Sequence, residues 1–333
     1  MYILSFESSC DETACAVCEM SEASRIIKSN IVASQVDTHA LYGGVVPEIA
    51  SRAHIEAISK ITYEALDEAG LTLKDIDAIA VTNGPGLIGA LLVALNFAKS
   101  LAYANNIPLV PVNHIRGHIA AAYLSHASLK PPFLALVVSG GHTSFYDVKS
   151  YTDMVEIGST RDDAAGECFD KAGRVLGLPY PGGHAMDILA SKGDPYKIHF
   201  PSPAISDTSL DFSFSGLKTS VINYANTLSQ KGEAVPREDV AASFTNVIVE
   251  AVKSKTAQAL SLTGYKKIVI AGGVSANSHI RNGLAKLCAS YGCEFFAPEL
   301  FLCGDNAAMI GAQGYYEYLD GVRGDESLNA YPS

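Results

Sequence analysis

The sequence is short of the features that would place it outside the ordinary globular class. No apolar run reaches the roughly twenty residues that a membrane-spanning helix needs. The opening MYILSFESSCDETACAV has neither a basic leader nor a small-residue cleavage site, and its Asp and Glu do not suit a secretory signal. Low-complexity tracts are absent. Positive charge is scarce: 24 Lys and Arg against 35 Asp and Glu leave a net charge of −11. That deficit argues against broad, sequence-independent binding of nucleic acid by this chain alone, and leaves room for a local basic patch or a partner that brings the charge. Seven cysteines, an odd number scattered along the chain, do not make a disulfide framework. The expectation is a reduced, cytoplasmic chain with free thiols and no membrane partner. Cys10, Cys15 and Cys18 lie close together, but no second cluster answers them, and they read as packing residues.

What is there describes a well-buried protein. Hydrophobic residues make up 48% and charged residues 18% of 333 positions, enough for two domains or one large α/β unit built from two halves. Short apolar runs end repeatedly in glycine turns and then open into helical patterns. IDAIAVTNGPGLIGALLVALNFAKSLAY reads as strand, Gly-Pro-Gly turn and a helix from about Leu87. IPLVPVNHIRGHIAAAYL repeats that layout with Asn113 as N-cap. KKIVIAGGVSANSHIRNGLAKLC repeats it again, with Ser275 or Asn277 near the helix start. Residues 47–69 read as one long amphipathic helix. Alternation of this kind implies an α/β architecture with ligands at the carboxyl ends of the strands. YILSFESSCDETACAVCEM and FLALVVSGGHTSFYDVKS share a further layout: an apolar strand, a small polar turn, then a second alternating strand. They lie about half a chain apart, which suggests a duplicated core of two similar lobes. The stretch from Lys192 to Ser209, rich in Pro, Ser and Asp, reads as an insertion or mobile flap.

Three features carry chemistry. His114 and His118 stand about one helical turn apart, so both imidazoles leave one helix face and can close on a single metal ion. Asp305, at the end of an apolar stretch and beside a second helix start, would complete two histidines and a carboxylate if the fold brings it across. Three glycine turns stand where backbone N–H groups can approach an anion: Ser139-Gly140-Gly141-His142-Thr143, Gly182-Gly183 before a helix starting near Ala185, and Gly272-Gly273, which end a strand and open a helix. None of the three matches the phosphate-loop or dinucleotide pattern. Between them, Asp162, Asp163, Glu167 and Asp170 crowd into one segment. A solvated acidic face suits at least one of these, whereas Asp170, framed by Phe169, Ala172, Val175 and Leu176, points to a ligand such as a sugar hydroxyl.

Taken together, FESSCDET, GGVVPEIASRAH, GPGLIGALL, NHIRGHIAAAY, LVVSGGHT, TRDDAAGECFDKAGRVLGLPYPGG, FSFSGLKT, AGGVSANSHIR and CGDNAAMIG stand in one order from about Tyr2 to beyond Gly311. The set closely resembles the bacterial tRNA adenosine threonylcarbamoyltransferase family, formerly described as O-sialoglycoprotein endopeptidases. The resemblance implies the two-lobed α/β fold of actin, sugar kinases and heat-shock chaperone ATPases, with duplicated RNase H-like halves. Residues 1–130 would form the first lobe, completed by a C-terminal helix at about 306–325. Residues 131–305 would form the second, carrying an insertion at about 192–209. The implied reaction transfers the threonylcarbamoyl group from threonylcarbamoyl-AMP to N6 of adenosine 37 in tRNAs reading ANN codons, releasing AMP. The implied metal ligands are His114, His118 and Asp305. Substrate contacts carry over to Val137, Val138, Ser139, Gly140, Gly141, Asp170, Gly183, Asp187 and Asn277. Asp11 and Glu12 occupy the acidic pair of the first hairpin, Asp11 as proton acceptor for the attacking amine and Glu12 as a group that orients metal-bound water. One divalent ion per subunit is implied, with iron favoured by family habit and zinc or magnesium as alternatives. The implied partners are tRNA, a smaller actin-fold paralogue and an ATPase subunit.

Two other activities compete. A metallopeptidase normally carries a glutamate directly after the first histidine to activate water, and here Ile115 occupies that place. An actin-fold ATPase or sugar kinase would hydrolyse nucleotide or phosphorylate a sugar without any tRNA product.

Overall fold

The computed structural model describes residues 1–205 and 208–332, in two compact units. The first unit takes Met1–Pro131, a short return at Ser150–Asp153, and the chain from Pro298 onward; the second takes Pro132–Lys149 and Met154–Ala297.

In the first unit, β1 (Tyr2–Glu7) and β2 (Glu12–Met20) form an antiparallel hairpin that β3 (Arg25–Ser34) extends. After α1 (Val36–Ala40), the chain crosses over through α2 (Pro47–Ala69) to β4 (Ala78–Gly84), and through α3 (Ile88–Asn105) to β5 (Leu109–Asn113). Parallel neighbours need such crossovers, and the strand order is β3-β2-β1-β4-β5 with β1, β4 and β5 parallel. Proline at the first position of α2 and Gly70 in the left-handed conformation after Ala69 bound that helix where the sequence pattern places it. β1 is buried on both faces. Leu4 and Phe6 enter a core with Ile58, Ile61 and Ala65 of α2 and Ala94, Leu95 and Ala98 of α3. The alternation of strand side chains therefore turns Ser5 and Glu7 to the opposite face.

One expectation is corrected here. α3 is 18 residues long with a mean hydropathy of 1.2, enough by length and composition to cross a membrane. Its apolar stripe of Ala90, Leu91, Ala94, Leu95, Ala98 and Ala102 is buried in this unit, so core packing accounts for it.

The second unit repeats the plan. β6 (Phe133–Val138), β7 (Thr143–Val148) and β8 (Met154–Ser159) form an antiparallel meander. Then come α5 (Ala165–Val175), α6 (Gly182–Ala190), α7 (Ser215–Gln230), α8 (Arg237–Thr263), β9 (Lys267–Ala271), α9 (Ser278–Tyr291) and β10 (Glu294–Phe296). The order β10-β9-β6-β7-β8, with β9 parallel to β6 and β10 to β9, mirrors the first sheet strand for strand. The two similar hairpins thus open two sheets of one topology.

Two local expectations change. α6 begins at Gly182 rather than near Ala185, because Asp170 Oδ1 accepts the Gly182 N–H at 2.7 Å and satisfies a donor of the first turn. Of the stretch from Lys192 to Ser209, read as an insertion or mobile flap, Ser206 and Asp207 lie outside the described residues, and described residues on either side of them are hydrogen-bonded to α8. Ser243 Oγ accepts the Ile198 N–H at 3.1 Å, and Lys255 Nζ donates to the carbonyls of Ile205 and Ser209, each at 2.6 Å.

The chain re-enters the first unit and ends its regular structure with α10 (Ala307–Leu319), which lies with α4 (His114–Ser125) on the face of the first sheet that carries Ser5 and Glu7. Contact there is close. A Cβ on Gly311 would stand 2.9 Å from both Cys18 Sγ and Ser5 Oγ, and one on Gly314 would stand 2.5 Å from the Ala80 Cβ.

Candidate metal centre and ligand-binding turns

The helix that carries both histidines starts where its sequence dictates. Asn113, in extended conformation, accepts the N–H groups of Ile115 and Arg116 on its side-chain oxygen at 2.9 and 3.1 Å. His114 then opens α4 and His118 follows one turn on, with ring centroids 4.6 Å apart and planes at 79°. Asp305 is delivered by the opposite route. Asn306 caps α10 by accepting the Met309 N–H at 3.0 Å, and its amide donates to the carbonyls of Gly304 and Leu302 at 2.9 and 3.3 Å, which fixes the loop around Asp305. Ser5 Oγ donates to the Ala307 carbonyl at 2.7 Å and pins that helix start to β1.

The three expected ligands come together. Asp305 Oδ1 lies 3.1 Å from His118 Nε2 and 3.6 Å from His114 Nε2, and one donor atom from each residue falls within 4.8 Å of the others. His118 is fully buried, yet neither of its nitrogens has a hydrogen-bond partner of sound geometry. A buried imidazole left in that state is costly. A divalent cation on Nε2 and Asp305 would answer one of those two nitrogens, and two imidazoles with a carboxylate are a fitting donor set.

Beside the triad stand Glu7, which the sequence reading passed over, and the expected acidic pair Asp11 and Glu12. Glu7 is fully buried, and its Oε2 lies 3.0 Å from His114 Nδ1 and accepts the Thr82 hydroxyl at 2.6 Å. Burial works to raise the Glu7 carboxyl, but the charge and hydrogen bond of His114, with a further bond from Ser9, hold it below its ordinary value. Burial likewise works to lower His114, and the Glu7 and Asp305 carboxylates outweigh it, holding the imidazole up at about 9. Asp11 is buried at the end of the β1–β2 turn, where its carbonyl accepts the Gln35 N–H at 3.1 Å. Glu12, the first residue of β2, accepts the Ser34 hydroxyl at 3.2 Å. Burial, then the charges of Asp305 and Asp11, push the Glu12 carboxyl up to about 9.

The nine expected substrate contacts all lie in the second unit, at the carboxyl ends of β6 and β9, joined by a ring of contacts. Val137 and Val138 end β6 and are fully buried. Beyond them Ser139 N donates to the His142 carbonyl at 2.8 Å, closing the hairpin tip. The Gly166 N–H at the start of α5 donates to Ser139 O at 3.1 Å, and Asp170 on the same helix reaches Gly182, the neighbour of Gly183. On α6, Asp187 accepts from Ser278 N at 3.1 Å and lies 2.8 Å from His279 Nδ1, next to Asn277, the N-cap of α9. Gly272 completes the ring: at φ +89 its Cα lies where a Cβ would meet Val138 O at 2.5 Å. Gly140, Gly141, Gly183 and Gly273 are different, since an added Cβ there would meet nothing within 4 Å. Packing against the rest of the protein therefore does not explain these four glycines, and the lack of a side chain would let an anion approach the backbone there.

Two readings are refined, and a further glycine turn is accounted for. The pair Gly272-Gly273 opens onto a short 3-10 turn, Gly273–Ala276, and α9 starts only at Ser278, because Asn277 takes the Ile280 N–H at 3.0 Å. Asp162 and Asp163 form no bare acidic face. Asp162 accepts the Phe214 and Ser215 N–H groups at 2.7 and 3.2 Å, at the start of α7, and Asp163 is ion-paired with Lys218. GPGLIG, residues 84–89, has the glycine spacing of a dinucleotide fingerprint, but added Cβ atoms at Gly84, Gly86 and Gly89 would strike Tyr331, Ser9 and Ser51 at 2.5 to 2.7 Å. The protein's own side chains and backbone fill that turn.

Comparison with known proteins agrees with the geometry. Residues 26–312 match the family described as tRNA N6-adenosine threonylcarbamoyltransferase. The enzyme of that name from Clostridium botulinum strain 657 is 52% identical over 99% of this chain and 96% of its own length. The one from Clostridioides difficile strain 630 is 51% identical over 99% of this chain and 97% of its own. Among solved structures, component A of the Acidaminococcus fermentans (R)-2-hydroxyglutaryl-CoA dehydratase superposes with a TM-score of 0.55 at 15% identity, covering 96% of this chain and 97% of that one. HypF from T. kodakarensis gives 0.62 at 14% identity over 96% of this chain and 48% of its own. At those identities the likeness shows fold alone, and the fold is that of the actin-like ATPases and sugar kinases.

Proposed function

The chain belongs to the tRNA N6-adenosine threonylcarbamoyltransferase family, and from that membership we propose how its residues carry out the transfer. The enzyme modifies tRNA, placing a threonylcarbamoyl group on N6 of an adenosine. The donor is threonylcarbamoyl-AMP and the acceptor is adenosine 37 of tRNAs reading ANN codons. The N6 amine is a weak nucleophile, whereas AMP leaves readily from a mixed carbamic–phosphoric anhydride. Alignment and charge stabilisation are thus the protein's main tasks.

His114, His118 and Asp305 hold a divalent ion, iron by family habit with zinc or magnesium as alternatives; when bound, it supplies Lewis-acid polarisation of the donor's carbonyl. Backbone N–H groups of Ser139, Gly140, Gly141 and Gly183, with Val137 and Val138 beneath them, receive the phosphate and base of the adenylate. Asp170 and Asp187 accept from ribose hydroxyls, and Asn277 holds its own helix start against them. Asp11 accepts the proton that leaves the amine, and Glu12 orients water beside the triad. The observation that carries this reading is the convergence of two histidines and an aspartate, with His118 buried and unsatisfied, in a chain of this family.

The partners follow from charge and exposed surface. An acidic protein acting on tRNA works with a smaller actin-fold paralogue and an ATPase subunit. α2 leaves Ile55 and Tyr63 exposed, and is the face assigned to the paralogue. All seven cysteines are free among the described residues, which supports a reduced, cytoplasmic setting. The test is reconstitution with both partners, adenylate donor and tRNA, followed by mass spectrometry of digested nucleosides. Threonylcarbamoyladenosine is the expected product. Nucleotide hydrolysis with unmodified tRNA would overturn the proposal in favour of an ATPase, and chelator-sensitive cleavage of glycoproteins in favour of a peptidase.

A further inference from the structure

Glu7 is a fully buried carboxylate to which the mechanism above gives no task. It ends β1 directly after Phe6, which faces the α2–α3 core, so strand alternation alone turns it under α4. Every contact it makes aims it at one atom. The Ser9 N–H donates to Oε1 at 2.5 Å and the Thr82 hydroxyl to Oε2 at 2.6 Å, while Oε2 faces His114 Nδ1 at 3.0 Å. Ser9 Oγ stands 3.2 Å from the same nitrogen. Both oxygens of Glu7 already act as acceptors, Oε1 from the Ser9 N–H and Oε2 from the Thr82 hydroxyl, so the geometry favours Nδ1 as the nitrogen that donates to Oε2. The other nitrogen, Nε2, is the one that faces Asp305, at 3.6 Å. His118 has no such device, since neither of its nitrogens is hydrogen-bonded.

We propose that Glu7 is a positioning residue of the metal centre: it fixes His114 in the tautomer whose Nε2 lone pair is free for the ion and holds the ring in its plane. The inference rests on the metal reading of His114, His118 and Asp305. Carboxylates in this outer position commonly contribute 10- to 100-fold in metal affinity. Thr82 and Ser9 then serve to orient Glu7, which gives both buried hydroxyl residues a task.

The experiment measures zinc affinity of the full chain by competition with a chromophoric chelator, together with the melting temperature of the metal-free protein. Glu7→Gln keeps the shape but offers an amide donor toward Nδ1, which drives the ring proton to Nε2. The expected result is zinc binding weakened by about 10- to 100-fold. In the zinc-loaded wild type, ring NMR is expected to show His114 protonated at Nδ1. A purely structural Glu7 would instead lower the melting temperature and leave zinc affinity unchanged, and that result overturns the proposal. Should Glu7→Gln fail to fold, Thr82→Val decides: it removes only the hydroxyl that steers Oε2, and must weaken zinc binding in the same direction by a smaller factor. Wild-type affinity in Thr82→Val would then overturn it. A wild-type chain that binds no zinc and no iron refutes the metal reading itself, a distinct outcome.

Discussion

His118 makes no hydrogen bond at full burial, so its imidazole has no structural duty that an ion does not supply. His118→Ala is therefore expected to abolish stoichiometric metal, read by elemental analysis. It is also expected to slow transfer by at least about 10²-fold, the scale of losing one electrostatic stabiliser. Asp11→Asn separates proton transfer from binding: a loss of about 10²- to 10⁴-fold in transfer with metal retained fits a general base, and near-normal transfer removes Asp11 from that role. His54 governs the same turn from behind. Its Nε2 lies 3.0 Å from the Cys10 carbonyl, to which it donates, and Thr13 Oγ1 stands 2.7 Å from Nδ1. Burial lowers the pKa of His54, outweighing the bond to Cys10 and the nearby carboxylates, which raise it. A depressed folded value means the contribution to stability is complete above the unfolded pKa of about 6.5 and is lost as pH falls through the folded one. The melting temperature of the metal-free chain should drop on acidification below that point, with a shallower slope in His54→Gln. The histidine pair was legible in sequence because helical spacing and an N-cap announce themselves locally, whereas Asp305, far along the chain, joined it only through the family resemblance. Glu7 was not, because a carboxylate at the end of an apolar strand looks like the entry to a solvated turn, and only the helix packed over it shows otherwise.

At the scale of elements, the position of Asp305 relative to the histidines depends on how α10 lies between β1, β4 and α4. Glu317 on α10 accepts from Arg116 of α4 at 3.0 Å and from Gln313 at 2.9 Å, which locks the two helices in register. Small residues allow the approach, and Gly314 meets Ala80 where no flexible atom can give way. Alanine improves helix propensity by about 1 kcal/mol, but overpacking a fixed strand costs about 1–3 kcal/mol. Gly314→Ala should therefore destabilise the protein by about 1 kcal/mol net, measured by denaturant unfolding, and weaken metal binding through the displaced helix. Opposite results, a gain in stability with unchanged affinity, would mean that the helix shifts freely. Hairpins, crossover helices and the bounds of α2 could be read from alternation, proline and glycine. The start of α9 was legible only as a choice between Ser275 and Asn277, because both are good caps locally, and the structure gives the cap to Asn277.

On the scale of the whole chain, two five-stranded sheets of identical order turn one topology into two sets of tools. The first unit carries the metal triad and the second the glycine turns. The doubling was visible in sequence as two like hairpins, since strand–turn–strand signals are local. The equivalence of the remaining strands was not, because β10 is only three residues long and its pairing is non-local. Charge decides the last expectation. A polyanion is held chiefly by Lys and Arg that displace its counterions, and this chain is 11 charges negative at neutral pH. The isolated chain should therefore bind tRNA only weakly near physiological salt. Affinity should rise when the paralogue and ATPase subunit are added, and fall steeply as salt is increased. Filter binding across a salt series, with and without those subunits, measures this directly. Tight binding by the chain alone, with a steep salt slope, would mean that a local basic surface outweighs the net charge, and that tRNA recruitment belongs to this subunit rather than to the assembly.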